Sequence, residues 1–200
     1  MKKQMMKVGL VAALVMGAMS AANAASVADL TFTGAVTKAT CDVNVAGGNT
    51  QTISLGKYAG TEFSDTTPGI LAKSRKDITL SFGSCVGEDV AAGDSMTLNV
   101  TQQSGVAPAL STAQLWGDNA IGVGVRLDAQ STAAGAVLKQ LTPTDNFLNI
   151  FTAPADNASP IADVAPRPVM LQAALESYLP NTAITSGDIK APLEFSVSYD

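Results

Sequence analysis

The stretch Gly187-Asp-Ile-Lys-Ala-Pro-Leu-Glu-Phe-Ser-Val-Ser-Tyr-Asp200 alternates strictly between two kinds of residue. Its odd positions are glycine, aliphatic or aromatic, and its even positions are polar, charged or proline. Because successive side chains of a strand point to opposite faces, this pattern predicts one long β-strand with an apolar face and a solvated face. Pro192 cannot donate a backbone hydrogen bond, so at least one edge of this strand is expected to lack ordinary pairing.

Further short strands are predicted upstream, most of them from the same alternation, and are separated by segments rich in glycine, proline or acidic residues. They lie at residues 30–36, 51–55, 77–84, 95–102, 121–127, 137–141, 147–151 and 169–178. No window shows a 3.6-residue period over three helical turns. The pattern predicts one all-β domain, an antiparallel sandwich. A lipocalin-like barrel is the rival architecture, although its strands would be spaced more evenly.

The N-terminal residues have the features of a secretory signal peptide. Lys2, Lys3 and Lys7 precede an apolar run at residues 8–19, and Ala22-Asn-Ala24 fits a small-x-small cleavage site. The apolar run is too short for a membrane span, and no later segment approaches the roughly 18 apolar residues that a span needs. Residues 1–24 are therefore predicted to be removed on export, and no membrane span is expected.

The exported chain is acidic and contains two cysteines. Of the 12 basic residues, the three signal-peptide lysines are lost, which leaves nine against 17 acidic residues and a net charge of −8. No basic patch is left for a phosphate backbone, so nucleic acid is not an expected partner. In an oxidising compartment Cys41 and Cys85 are predicted to form a disulfide, with two free thiols as the alternative.

The residues for common catalytic and metal chemistry are missing. The chain has no histidine, which excludes Ser-His-Asp and Cys-His machinery and the commonest metal ligand. Glu88, Asp89 and Asp94 cluster without the spacing of a calcium loop, so a solvated turn is predicted there. We therefore expect no enzyme activity, no metal and no cofactor.

Three aromatic residues could in principle line a sugar-binding site. They are Trp116, Tyr58 and Tyr178. Packing in the core or against loops is the simpler interpretation, because aromatic side chains contribute large apolar areas to folded cores.

Four features coincide in this chain. They are the signal peptide, the segment Leu30-Thr-Phe-Thr-Gly-Ala-Val-Thr-Lys-Ala-Thr-Cys41, the segment Ile78-Thr-Leu-Ser-Phe-Gly-Ser-Cys85, and an alternating end with Gly187 fourteenth from the end and Tyr199 penultimate. Together they resemble the pilin subunits of bacterial chaperone-usher fimbriae, of the type-1-like kind.

The resemblance implies an incomplete immunoglobulin-like antiparallel β-sandwich over residues 35–200, completed by a donated strand. An apolar groove would lie beside the last strand, and the disulfide would tie the first strand to the third. The residues assigned to the groove and to chaperone binding are Gly187, Ile189, Leu193, Phe195, Val197, Tyr199 and Asp200, the last through its terminal carboxylate.

The resemblance also implies a structural subunit of an extracellular fimbria that supports cell adhesion. A periplasmic chaperone would lend a strand, and at the outer-membrane usher an identical or related subunit would replace it. The alternative is an adhesive subunit that binds a host receptor through loops 104–120 or 142–168.

The donor segment is assigned to residues 25–34. Because cleavage after Ala24 leaves few residues ahead of the first strand, this segment must overlap that strand, or cleavage lies elsewhere. The side chains expected to face the neighbouring subunit are Ala28, Leu30 and Phe32. The opposite parity, Val27, Asp29 and Thr31, would place a carboxylate in an apolar pocket at a high cost.

Overall fold

The computed structural model describes residues 39–45, 51–66, 69–103, 114–117, 121–132, 136–164 and 167–199. These residues form nine β-strands and four short 3-10 turns, and contain no α-helix. The strands, numbered β1 to β9 in chain order, are Ala39–Val45, Gly69–Ile70, Lys76–Gly87, Ser95–Gln102, Val123–Ser131, Lys139–Leu141, Phe147–Thr152, Val169–Ser177 and Leu193–Tyr199. The all-β class predicted from the sequence is confirmed.

The strands form two sheets. The larger sheet has the order β1-β3-β8-β5-β6, with β2 also pairing with β8, and the smaller has the order β7-β4-β9. Every pair of described strands is antiparallel. Buried side chains from both sheets belong to one hydrophobic core. Two sheets around one core make an immunoglobulin-like β-sandwich, so the barrel alternative is wrong.

The alternation in the sequence explains how the smaller sheet is oriented. The inward side chains of β4 are completely buried, and they are Met96, Leu98 and Val100. On the outer face, Thr97 Oγ1 lies 2.7 Å from Ser198 Oγ of β9, and Asn99 Nδ2 donates to the same hydroxyl at 2.7 Å. The apolar positions therefore fill the core while the polar positions hydrogen-bond to each other across the strands.

Strand β5 departs from the simple two-face pattern. The sequence predicts Gly122 and Gly124 on a face opposite the apolar residues, but most of β5 is buried on both faces. A Cβ added at Gly124 would lie 2.8 Å from Leu115 Cβ. Glycine is therefore required there, because Leu115 packs directly on the backbone of β5.

The three aromatic residues considered for a sugar site have structural contacts. Trp116 is 2% exposed, pairs with Val125 through two backbone hydrogen bonds, and donates from Nε1 to the Leu141 carbonyl at 2.8 Å. The Tyr58 hydroxyl donates to the Lys73 carbonyl, and the Tyr178 hydroxyl accepts from the Gly122 amide. These contacts agree with the packing interpretation.

The connection between β6 and β7 is a tight turn. The Thr142 amide donates to the Asp145 carbonyl at 3.0 Å, and the Asp145 amide donates back to the Thr142 carbonyl at 3.2 Å. Because β6 is the last strand of the larger sheet and β7 the first of the smaller, this turn carries the chain directly from one sheet to the other.

The prediction of a strand starting at Gly187 is wrong, because β9 begins at Leu193. Its partner β4 ends at Gln102, opposite Leu193, so the described part of the chain offers no strand for the earlier residues to pair with. Pro192 marks the boundary: it has no N–H to donate, and its carbonyl accepts from the Gln103 amide at 3.0 Å.

The predicted strand at 51–55 is also wrong, since those residues are irregular and most of their side chains are exposed. An alternating segment does not form a strand without a neighbour to pair with. Several predictions lie outside the described residues: the signal peptide at 1–24, the donor segment at 25–34 with Ala28, Leu30 and Phe32, the strand at 30–36, the domain boundary at residue 35, and Asp200.

Candidate functional site at the edge formed by β1 and β9

Strand β9 is an edge strand of the smaller sheet. It pairs with β4 from Leu193, opposite Gln102, to Tyr199, opposite Met96, without a bulge. No described residue pairs with its other edge. The backbone N–H and C=O groups along that edge therefore have no partner strand within the described chain.

The inward side chains of β9 are only half-buried. They are Leu193, Phe195, Val197 and Tyr199, and all four pack against the core. Directly opposite on β4, Met96, Leu98 and Val100 are 0% exposed. Because the two strands share one sheet and one face, the difference reflects position: the core is covered over β4 and only partly covered over β9.

Strand β1 is the corresponding edge strand of the larger sheet. It pairs with β3, and it contacts β9 across the sandwich. Its inward residues Val43 and Val45 are also half-buried against the core. We call these two strands, with the six half-buried side chains of Val43, Val45, Leu193, Phe195, Val197 and Tyr199, the β1–β9 edge.

The hydroxyl of Tyr199 fixes one end of this edge. It donates to the Asp89 carbonyl at 2.5 Å and accepts from the Ala91 amide at 3.1 Å. Between them, Val90 is fully buried and exchanges two backbone hydrogen bonds with Ser159. The alternation predicts Tyr199 only as part of an apolar wall, although a half-buried tyrosine hydroxyl needs a polar partner.

A disulfide holds β1 in place. Cys41 and Cys85 are joined, with an S–S distance of 2.12 Å and a Cα–Cα distance of 4.0 Å, so the predicted bridge is confirmed. The register of β1 against β3 shifts beside the bridge, where Ser84 has a left-handed backbone with φ of +47°. The bridge and this bulge together determine where β1 lies.

Two residues predicted for the groove lie outside strand β9. Gly187 is exposed and belongs to the irregular segment ahead of the strand. Ile189 is half-buried, and a Cβ added at Gly117 would lie 3.4 Å from Ile189 Cγ2. The structure therefore groups Leu193, Phe195, Val197 and Tyr199 with β1, and places Ile189 beside Gly117.

The buried charges lie on other strands. Arg126 of β5 binds Asp128 through two hydrogen bonds of 2.7 and 2.9 Å, and donates to Glu176 of β8 at 3.1 Å. The hydrogen bonds to Asp128 raise the pKa of Arg126, against the opposing effect of partial burial, and Glu176 adds to the increase. These groups pair with each other, and the β1–β9 edge itself is apolar.

The fold and this edge define a class of protein: an immunoglobulin-like sandwich with an incompletely covered apolar edge. Residues 30–200 match the family model described as "Fimbrial protein". The chain therefore belongs to the fimbrial protein family, which confirms the resemblance found in its sequence. No curated protein matches the chain in a sequence comparison.

A comparison with solved structures finds two pilus proteins of low sequence identity. The P pilus rod subunit PapA is 14% identical, with a TM-score of 0.48 over 86% of this chain and 99% of that one. The CupB6 tip adhesin from Pseudomonas aeruginosa is 13% identical, with a TM-score of 0.34 over 78% of this chain and 40% of that one.

Family membership makes the chain a subunit of a chaperone-usher pilus, an extracellular fimbria in which subunits polymerise. Within the described part of the chain, no helix combines the length and hydrophobicity needed to cross a membrane. The same residues contain no group of three or more cysteine or carboxylate side chains placed to hold a metal ion.

Proposed function

We propose that the chain is a structural fimbrial subunit assembled by donor-strand complementation and exchange at the β1–β9 edge. A periplasmic chaperone would first supply a strand there, and at the outer-membrane usher the N-terminal segment of the next subunit would replace it. The resulting fibre would support cell adhesion. The observation that carries the proposal is the row of half-buried apolar side chains along the edge of β9 that no described residue pairs with.

Strand addition suits the chemistry of this edge. Backbone groups of β9 could pair with an added strand, and its alternate side chains could fill the space over Phe195, Val197 and Tyr199. Completing the burial of such a half-buried aliphatic or aromatic side chain contributes about 1 kcal/mol at roughly 25 cal/mol per Å². Several such contacts along one strand would offset part of the entropy lost on association, and backbone hydrogen bonds to β9 would supply the remainder.

The donor segment at residues 25–34 has a complementary pattern. Ala28, Leu30 and Phe32 recur every second residue, as do the inward side chains of β9. A strand with this spacing could place all three on the apolar edge and direct Asp29 and Thr31 to solvent. The same reasoning supports an identical or closely related subunit as the acceptor.

The proposal assigns a structural role and no catalysis. Before assembly, an apolar edge strand is an aggregation hazard, so the exported chain needs a partner in the periplasm. We propose that a chaperone covers the β1–β9 edge there and anchors the carboxylate at Asp200 with basic residues.

Deleting residues 25–32 tests the donor assignment while leaving every residue of the β1–β9 edge intact. The deleted chain is expected to co-purify with its chaperone, because it can still accept a strand, but to form no contact in which it is the donor. Electron microscopy and size analysis of surface material would measure assembly. Normal polymers from the deletion variant alone would contradict the proposal.

A further inference from the structure

The opposite lateral edge of the sandwich is formed by β6 and β7. Lys139 of β6 reaches across from the larger sheet to the smaller one. Its Nζ donates to the Phe147 carbonyl at 2.7 Å and to Asp145 Oδ1 at 2.7 Å, and it lies 4.0 Å from the centroid of the Phe147 ring. One ammonium group thus makes three contacts at the start of β7.

The Phe147 carbonyl lies on the outer edge of β7. The preceding carbonyl, of Asn146, accepts from the Val100 amide and so points toward β4. Because successive carbonyls of a strand point to opposite sides, the Phe147 carbonyl points away from β4. A strand added to β7 would need this carbonyl as an acceptor.

Exposed apolar side chains precede Lys139 in the sequence and begin β7. Val137 is 77% exposed, Leu138 53% and Phe147 50%. An outward-pointing carbonyl on a strand that begins with an exposed aromatic side chain has the two properties that favour strand addition. The β6–β7 edge would therefore compete with the β1–β9 edge for a donor strand if it were not protected.

We infer that Lys139 restricts the subunit to one acceptor site for a donor strand, the β1–β9 edge. Lys139 hydrogen-bonds to the Phe147 carbonyl and so keeps the donor segment of a second copy of the chain off β7. Charged side chains, lysine above all, are a common protection for edge strands. The inference rests on the proposed function, since it takes the donor segment, residues 25–34, of another copy as the strand that is kept away. With this edge protected, each subunit would accept only one donor strand, and the fibre would be linear.

The test compares fibres of the full chain with fibres of Lys139→Met. Both are labelled with a tagged peptide of the donor segment, residues 25–34. In wild-type fibres each internal β1–β9 edge is already filled by a neighbour, so label should appear only at fibre ends. Lys139→Met keeps the length of the side chain and removes the charge. It is expected to bind about tenfold more peptide per unit fibre mass, along the whole fibre, because a charged hydrogen bond no longer competes for the carbonyl.

Two further variants and a control make the result specific. Lys139→Arg keeps the charge and should restore labelling of the ends only. Asp145→Ala removes the exposed carboxylate that helps to hold Lys139 at the Phe147 carbonyl. Because an exposed ion pair contributes little to stability, labelling should rise only about two- to fivefold. Asp145→Ala provides the same measurement if Lys139→Met does not fold. Lys57→Met changes an exposed lysine far from this edge in the sequence and should label as wild type.

The outcomes distinguish a failure of the inference about Lys139 from a failure of the proposed function. Label along the length of Lys139→Met or Asp145→Ala fibres supports the inference. Label confined to the ends in both variants overturns it and leaves the proposed function standing. If the wild-type chain forms no fibres, or its fibres take no peptide at their ends, the proposed function fails and the inference fails with it.

Discussion

The two lateral edges of the sandwich are closed in different ways. At the β6–β7 edge a four-residue turn joins the sheets, Lys139 links them, and Leu141 and Leu148 are buried. At the β1–β9 edge the meeting strands are the first and last of the described chain, and they belong to different sheets and do not pair with each other. The comparison teaches that the chain links its two sheets itself at one edge and leaves the strands at the other edge unlinked, over half-buried apolar side chains.

The largest expected effect is from a charge placed on the β1–β9 edge. Phe195→Glu puts a carboxylate on the half-buried face of β9, where loss of its hydration costs several kcal/mol once a strand covers it. We expect loss of chaperone capture and of surface fibres, measured by periplasmic level and electron microscopy. Ser196→Glu is the matched control, because the next side chain of the same strand is exposed on the outer face. An equal loss of fibres in both variants would show that the effect does not depend on which face of β9 carries the charge.

Removal of the disulfide should be the next largest effect. Replacing Cys41 and Cys85 by serine opens a loop with a sequence separation of 44, which costs about 4 kcal/mol of unfolding free energy in the chain-entropy description. Because the bridge holds β1, amide hydrogen exchange should speed up more in β1 than in β7. Equal increases in the two strands would mean that the bridge stabilises the whole sandwich and not one edge.

A smaller effect is expected from the hydroxyl of Tyr199. Tyr199→Phe removes two hydrogen bonds to the segment around Val90, worth about 1–2 kcal/mol together, and should loosen the end of β9. A bound donor peptide should then dissociate roughly tenfold faster. Tyr178→Phe is the control, since it loses one hydrogen bond, to the Gly122 amide, away from this edge. Its peptide dissociation rate should stay unchanged.

Much of the fold could be predicted because it depends on local alternation. The run from Ser95 to Gln102 coincides with β4, and the runs at 77–84 and 169–178 fall largely on β3 and β8. Burial follows the same pattern, with Leu80, Met96 and Val169 fully enclosed. The cysteine pairing was predictable from their number and from export.

What could not be predicted depends on contacts distant in sequence. The length of β9 is limited by where β4 ends, and the residues at 51–55 lack a neighbouring strand. The hydroxyl of Tyr199 meets a loop 110 residues earlier in the chain, and Leu115 buries the glycine face of β5. The sequence does not distinguish Lys139 from an ordinary exposed lysine, because its hydrogen bond to the Phe147 carbonyl forms only in the folded chain.

The position of Trp116 has a practical consequence for spectroscopy. It is the only tryptophan of the chain, it is almost fully buried, and its indole N–H is bonded to the end of β6. Its fluorescence will therefore follow global unfolding with a large change in emission. It will hardly change when a strand docks on β1 and β9, so binding there should be followed with a dye attached to the docking strand.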